Sequence, residues 1–122
     1  MMKFTNDQPI YLQLKNEFYR KICKGVLRSG DKLPSVRETA VEVGVNPNTV
    51  QRTYSDMERD GIIEKRRGQG SFVTNNQEII QQLRKSLAQE QVDQFYHSMQ
   101  QMGFTDEEIL LQIIQTIKKE GK

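Results

Sequence analysis

The chain has 122 residues, 28% of them charged and 35% hydrophobic, which allows one ordinary domain or a small domain with a helical appendage. Its net charge of +2 is unevenly spread, because residues 1–74 carry thirteen Lys or Arg against nine Asp or Glu, and residues 75–122 carry five against seven. No apolar run approaches the roughly 18 residues of a membrane span, and no signal-peptide pattern opens the sequence. We therefore expect a cytoplasmic protein whose first part meets a polyanion.

The first helix is predicted to start at Pro9, whose fixed φ suits the first helical position, with Gln8 or Asp7 as its cap. Gly25 marks its end. Apolar residues recur at every fourth position and predict one buried stripe, formed by Ile10, Leu14, Phe18 and Ile22. The single cysteine, Cys23, excludes an intrachain disulfide and is interpreted as a small buried hydrophobe beside that stripe.

Two short capped helices are predicted next. Ser35, followed three residues later by Glu38, has the spacing of a capping box, and Gly44 supplies the left-handed turn that ends a helix. Asn46 is a good N-cap and Pro47 a good first residue for the third helix. Two short helices joined by a tight turn that contains glycine predict a helix-turn-helix.

The third helix divides into two faces. Val50, Tyr54 and Met57 have i, i+4, i+7 spacing and are predicted to point inward, with Thr49 and Gln51 at the boundary. The opposite face carries Asn48, Arg52, Ser55 and Arg59. Asn and Gln can bond adenine and Arg can bond guanine, so this face can read DNA. A polar outer face is also normal for any amphipathic helix, so this helix alone leaves both readings open.

A basic hairpin is predicted after the third helix. Residues 62–66 and 71–74 have the pattern of two short strands, and residues 67–70 that of a turn. Lys65, Arg66 and Arg67 cluster at its tip, where they can reach a flanking phosphate or a minor groove. A two-stranded hairpin is marginal alone, so it must pack on the helices. The residues expected to make that contact are Ile62, Ile63, Phe72 and Val73.

The order of these motifs resembles the DNA-binding domain of the GntR family of bacterial transcription regulators, over residues 9–74. The matching pieces are Leu33–Glu38, Gly44–Val45, Thr49–Val50, Tyr54, Asp60–Gly61 and Gly68–Val73. The resemblance implies a winged helix-turn-helix. It also implies that Arg37 contacts DNA, that Ser35 contacts a phosphate, and that Thr49 and Gly68 are further contact positions.

Two residues of the third helix depart from the common GntR pattern and narrow the resemblance to one subfamily. Many family members have arginine where this chain has Pro47 and Gln51, and Asn46–Arg52 is instead similar to the YtrA-type subfamily. Arg52 then becomes the better candidate for reading a base. The predicted DNA-contacting residues are Ser35, Arg37, Asn46, Asn48, Thr49, Gln51, Arg52, Lys65, Arg66, Arg67 and Gly68.

The remaining residues predict two more helices. An apolar pattern over residues 77–102 predicts a long helix, and Thr105 with Glu108 forms a second capping box before the last one. Because a two-helix hairpin cannot bury both apolar stripes within itself, we expect a C2 homodimer. Its predicted dimerisation residues are Leu83, Leu87, Phe95, Met99, Ile109, Leu110, Ile113 and Ile117. The YtrA-type subfamily is similar in having such a short C-terminal region.

Few residues in the sequence point to a metal site or to catalysis. Glu90, Asp93 and His97 share one side of the long helix, but a single His makes a metal site a poor interpretation. The sequence has no catalytic triad order, metalloprotease motif or phosphate-binding Gly loop. We predict no enzyme activity, no metal and no cofactor.

The predicted protein is mainly α with a small β-hairpin: a winged helix-turn-helix at residues 1–74 and a two-helix dimerisation or effector region at residues 75–122. We expect a homodimeric repressor that binds an inverted-repeat operator in double-stranded DNA. The subfamily resemblance suggests control of a transporter operon. Two alternatives stay open. One is a sensor that binds an unidentified small-molecule effector between the C-terminal helices, near Phe95, Met99 and Met102. The other is a winged helix that binds only proteins.

Overall fold

A computed structural model describes residues 2–121, so Met1 and Lys122, the ends of the two predicted domains, lie outside the described part. Within that part the elements, in chain order, are α1 (Ile10–Lys24), α2 (Val36–Val43), α3 (Pro47–Arg59), β1 (Ile63–Arg66), β2 (Gly70–Val73), α4 (Gln77–Gln101) and α5 (Asp106–Glu120). The predicted fold class, mainly helical with a small hairpin, is confirmed.

The start of α1 differs from the prediction. Pro9 is not the first helical residue, because its backbone is extended, with φ −55° and ψ 143°. It is the N-cap residue, and its carbonyl accepts from the backbone N–H of Gln13 at 3.3 Å. No side chain caps the helix, so the predicted caps Gln8 and Asp7 are wrong. Instead, the Gln13 side chain donates a hydrogen bond to the backbone carbonyl of Gln8 at 2.8 Å, and this contact holds the segment that leads into the helix.

The core lies among the first three helices and the hairpin. Leu14, Phe18 and Ile22 are buried as predicted, and Phe18 meets the ring of Tyr54 edge to face at 5.6 Å. Such aromatic pairs add attraction beyond the area that they bury. Ile10 departs from the prediction, since it is 44% exposed in the first turn of α1. The apolar stripe therefore begins one turn later than its spacing indicated.

The hairpin is held by the segment that connects α1 to α2. β1 and β2 pair antiparallel, and Lys32 forms an isolated bridge to Phe72 beside them. The N–H of Leu33 donates to the carbonyl of Ser71, and that of Val73 to the carbonyl of Asp31, both at 2.8 Å. Residues 31–33 thus run along the outer edge of the wing. Since α2 follows directly, the wing and the start of α2 are fixed to each other.

The described residues divide into two compact units between Arg84 and Lys85, within α4. In the first unit, the first residues of α4 are held by the Gln77 side chain, which donates to the Ser29 hydroxyl at 2.7 Å, and by Arg84, which donates to the carbonyl of Cys23.

Burial raises the pKa of the half-buried Cys23 thiol, which disfavours the reactive thiolate.

In the second unit, α5 begins with the predicted capping box. The Thr105 hydroxyl accepts from the N–H of Glu108 at 3.2 Å, and the Glu108 carboxylate accepts from the N–H of Thr105 at 2.9 Å. These hydrogen bonds hold the pKa of Glu108 below its ordinary value. Ile109 is buried. No residue of α4 is buried within the single chain, and its apolar stripe was predicted to pack against a second copy.

Candidate nucleic-acid interface

The two faces of α3 lie as the spacing predicted. Val50 and Met57 are completely buried and Tyr54 nearly so, while Asn48, Gln51 and Arg52 are exposed. Thr53 and Asp56 are buried as well, which the spacing did not indicate. The buried residues thus cover nearly half of the helix circumference. The rest of the circumference, slightly more than half, is the polar outer face of α3.

A buried hydroxyl joins α2 to α3. The Tyr54 hydroxyl donates to the carbonyl of Pro34 at 2.7 Å and lies 2.8 Å from the hydroxyl of Thr39. Because Tyr54 has used its proton on Pro34, Thr39 is the donor in the second contact. Burial raises the pKa of Tyr54, so the phenol stays protonated and able to donate. The start of α2 is therefore fixed relative to the outer face of α3.

The start of α2 carries two predicted contact residues. The Ser35 hydroxyl accepts from the N–H of Glu38 at 3.1 Å and the Glu38 carboxylate accepts from the N–H of Ser35 at 3.0 Å, so the predicted capping box is present. The same hydrogen bonds hold the pKa of Glu38 below its ordinary value. The Ser35 oxygen accepts within the cap, which leaves its proton available for a phosphate oxygen. Arg37 is exposed one residue into α2.

A groove separates the helix-turn-helix from the wing. Its walls include Ser35 at the start of α2, Gln51 and Ser55 from α3, and Lys32 and Lys65 from the edge and first strand of the wing. Three of the predicted contact residues, Ser35, Gln51 and Lys65, are thus brought together. Lys32 and Ser55 lie among them but were not in the predicted contact set. No short-range pattern marks Lys32, since its position depends on pairing with β2.

A second, shallow depression lies on the other side of α3, between that helix and the start of α1. It is lined by Asn48, Thr49 and Arg52, together with Ile10 and Tyr11. The guanidinium of Arg52 lies over the Tyr11 ring, 3.7 Å from its centre. The predicted contact residues of α3 therefore face two flanks. No pattern in the sequence pointed to Tyr11, which lies outside the motifs of the helix-turn-helix.

Asn46 has a defined structural task. Its side-chain oxygen accepts from the N–H of Asn48 at 2.8 Å, as expected for the N-cap of α3, and Pro47 is the first helical residue. This contact satisfies a backbone donor that the helix leaves unpaired. The oxygen of Asn46 is therefore occupied, whereas its amide protons remain free to donate.

The tip of the wing is basic and exposed. Lys65 and Arg67 are exposed, and the guanidinium of Arg66 stacks over Phe72 at 4.1 Å. Gly68 has φ +75° at the turn, a conformation that residues with a side chain rarely adopt. The backbone there is open, since nothing lies within 4 Å of the position that a Cβ would take.

The metal-capable residues of α4 make ordinary hydrogen bonds. In α4 the Gln89 side chain donates to the Asp93 carboxylate at 2.9 Å, and His97 lies at the same distance from the Asp93 backbone carbonyl. Across the described residues, no three His, Cys, Asp or Glu side chains gather to form a metal site. No helix within residues 2–121 has the length and apolarity to cross a membrane.

Comparison with known proteins identifies the family. Residues 10–73 match the bacterial regulatory proteins of the gntR family. The chain belongs to this family. It is 47% identical over 108 residues to the HTH-type transcriptional regulator YhcF of Bacillus subtilis, across 88% of this chain and 89% of that protein. It is also 45% identical over 71 residues to the HTH-type transcriptional repressor YtrA of Bacillus subtilis, across 58% of this chain and 55% of that protein.

The fold agrees with that assignment. The solved structure of a GntR family transcriptional regulator from Listeria monocytogenes is similar with a TM-score of 0.86 and 35% identity, over 92% of this chain and 98% of that one. The predicted resemblance to the GntR family and its YtrA-type members is confirmed. This GntR chain is a transcriptional regulator with a DNA-binding winged helix-turn-helix, and it is not an enzyme.

Proposed function

We propose that the chain is a repressor that binds an inverted-repeat operator as a homodimer. The observation that carries the proposal is the groove between helix-turn-helix and wing. It joins exposed residues of α3 to the start of α2 and to the wing, and its lining holds Lys32 and Lys65 beside the carboxylates of Glu38 and Glu58. In this arrangement Ser35, Arg37, Thr49 and the wing hold the DNA backbone, and the outer face of α3 lies in the major groove. Asn48, Gln51 and Arg52 are then the residues that approach base edges.

The second unit supports the homodimer. Its exposed large apolar residues include Val92, Phe95, Met102, Phe104, Leu110, Leu111, Ile113, Ile114 and Ile117. Leu110 and Ile117 are 60% and 64% exposed, while Ile109 alone is buried within the unit among the described residues. Contiguous exposed apolar surface of this kind marks an interaction site. A second copy would cover it symmetrically, and the two-fold axis then requires two half-sites of opposite direction.

Three finer parts of the proposal have indirect support. Repression is favoured because the relative YtrA is named a repressor. A transporter operon as the target is favoured by the resemblance to the YtrA-type subfamily. We place the protein in the cytoplasm, because bacterial DNA is there and DNA is the proposed partner.

Selection from a pool of random duplexes tests DNA binding directly. We expect enrichment of an inverted repeat whose two halves lie about one helical turn apart, or a multiple of it. Binding of the selected duplex should weaken steeply with salt concentration, since phosphate contacts release counterions. If no sequence is enriched and binding of random DNA is insensitive to salt, the proposed DNA-binding function is wrong and a protein-binding winged helix becomes the better interpretation.

Two arginine variants separate backbone contacts from base reading. Arg67→Ala at the exposed wing tip should weaken binding of all duplexes alike and reduce the salt slope by about one unit. Arg52→Ala should relax the preference at one base pair, at a cost of about 1–3 kcal/mol. The matched control is Arg20→Ala, because Arg20 is an exposed residue of α1 that pairs with Glu17. Equal effects of all three substitutions would contradict the proposed docking.

A charge placed on α5 tests the homodimer. Ile117→Glu introduces a carboxylate among the exposed apolar residues and should convert the dimer to monomers in sedimentation equilibrium. The control is Gln112→Glu, which adds the same charge to an exposed position of the same helix. A monomeric unmodified chain at micromolar concentration would contradict the proposal, as would an Ile117→Glu variant that sediments like the Gln112→Glu control.

A further inference from the structure

Arg52, on the outer face of α3, is in contact with the aromatic ring of Tyr11. The guanidinium carbon of Arg52 lies over the Tyr11 ring, 3.7 Å from its centre, which is well within the roughly 6 Å range of a cation–π contact. Among the described residues, no carboxylate lies within 4 Å of the Arg52 guanidinium, unlike that of Arg59, which pairs with Asp56 at 2.9 Å. The ring of Tyr11 is thus the principal partner of this arginine.

Tyr11 is itself held against α3. The Thr53 hydroxyl lies 3.1 Å from the backbone carbonyl of Tyr11 and 3.1 Å from the Thr49 carbonyl of α3, and its one proton is shared between these two acceptors. Thr53 is completely buried, so this contact is shielded from water. The first turn of α1 is therefore tied to the turn of α3 from which Arg52 projects.

Stacking leaves the hydrogen-bonding edges of the arginine free. The N–H donors of a guanidinium lie in its plane, so an aromatic ring on one face does not occupy them. A free arginine side chain loses much rotamer freedom when it forms a bidentate contact, and a side chain that is already ordered loses less. The arrangement at Tyr11 therefore prepares Arg52 for a planar, bidentate partner such as the edge of a guanine.

We propose that Tyr11 is a positioning residue for base reading: it orders Arg52 so that this arginine discriminates one base pair of the operator. The inference rests on the proposed DNA-binding function and deepens it. Tyr11 contributes through Arg52, so removing its ring should change the selectivity at a single base pair. Contacts of the wing with the DNA backbone should be unaffected.

The test is a double-mutant cycle between the two residues. Tyr11→Leu should weaken binding of the selected operator about two- to fivefold, the range expected for loss of an exposed cation–π contact. The same substitution in an Arg52→Ala background should have no further effect. It should also have no effect on an operator in which the base pair read by Arg52 is replaced. Tyr11→Phe keeps the ring and should bind as the unmodified chain does.

A spectroscopic measurement tests the stack without DNA. In nuclear magnetic resonance spectra, the side-chain protons of Arg52 should be shifted by the ring current of Tyr11, in the unmodified chain and in Tyr11→Phe. The shift should disappear in Tyr11→Leu, or in Tyr11→Met if the leucine variant does not fold. Helix content measured by circular dichroism establishes which variants are folded.

The possible failures are distinguishable. If Tyr11→Leu weakens every duplex equally, or weakens binding as much in the Arg52→Ala background, Tyr11 acts independently of Arg52 and the inference is wrong. Absence of the ring-current shift in the unmodified chain overturns it as well. If the unmodified chain selects no DNA sequence, the proposed function itself fails, and the inference with it, whatever the spectra show about the stack.

Discussion

Removing one hydroxyl from the buried junction between α2 and α3 should destabilise the protein measurably. In Tyr54→Phe, the carbonyl of Pro34 and the hydroxyl of Thr39 lose contacts of 2.7 and 2.8 Å. Thr39 and Tyr54 are only 2% and 6% exposed, so water does not readily replace the lost group. Each hydrogen bond contributes about 0.5–1.5 kcal/mol, so the free energy of unfolding should fall by about 2 kcal/mol. For a domain of this size that is roughly 8–16 °C in Tm.

Circular dichroism at 222 nm suits this measurement, because the chain is largely helical and has no tryptophan. Unfolding must be compared at one protein concentration, since any association stabilises the folded state by mass action. The control is Tyr96→Phe, which removes an exposed hydroxyl that donates to Asp106 at 2.9 Å. It should change stability far less than Tyr54→Phe does, because the lost hydroxyl is exposed and water can replace it. If Tyr54→Phe were no more destabilising than Tyr96→Phe, the hydroxyl junction would not be what joins the two helices.

Three further changes test packing, capping and pH dependence. Met57→Ala empties a completely buried site and should lower the free energy of unfolding by about 2–5 kcal/mol in a urea titration, and a loss below about 1 kcal/mol would contradict its central position. Thr105→Ala removes the cap of α5 and should cost about 1 kcal/mol, most of which Thr105→Ser should restore. The cap lowers the pKa of Glu108. The stability that the ionised Glu108 carboxylate contributes should therefore be present above pH 4.5, its ordinary pKa, and should be lost as the pH falls through the lowered pKa. When helix content is followed as the pH is lowered, Glu108→Gln should remove the part of the loss that comes from protonating Glu108. An unchanged titration curve in this variant would contradict the role of the Glu108 carboxylate.

The sequence predicted local structure well where the chemistry lies within a few residues. The pairs Ser35 and Glu38, and Thr105 and Glu108, form the capping boxes that their spacing indicated. The burial of Val50, Tyr54 and Met57 in α3 also followed from spacing, because one helix turn determines which residues share a face. At Pro9 the same reasoning failed, since proline fits the residue before a helix as well as its first position, and only ψ distinguishes the two.

Contacts between distant residues could not be predicted in this way. The bridge of Lys32 to Phe72 makes the segment before α2 the edge of the wing, and no residue type near Lys32 signals it. The hydrogen bond from Thr53 to the carbonyl of Tyr11 joins residues 42 positions apart. Such contacts depend on how the helices pack, which single-sequence periodicity does not specify. As a result, the predicted contact set contained Arg52 but not the aromatic ring beneath it.

The arginines of the first unit differ in what holds them, and this difference bears on their roles. Arg59 pairs with the Asp56 carboxylate, which offsets part of its charge and occupies one of its donors. Arg52 and Arg66 instead lie on the rings of Tyr11 and Phe72, which order the side chain but leave its charge and donors available. A carboxylate partner would have to be displaced or would repel an approaching phosphate, whereas an aromatic partner does neither. Arginines supported by rings are therefore suited to bind a polyanion, and the arginine held by a carboxylate is suited to stabilise its own helix.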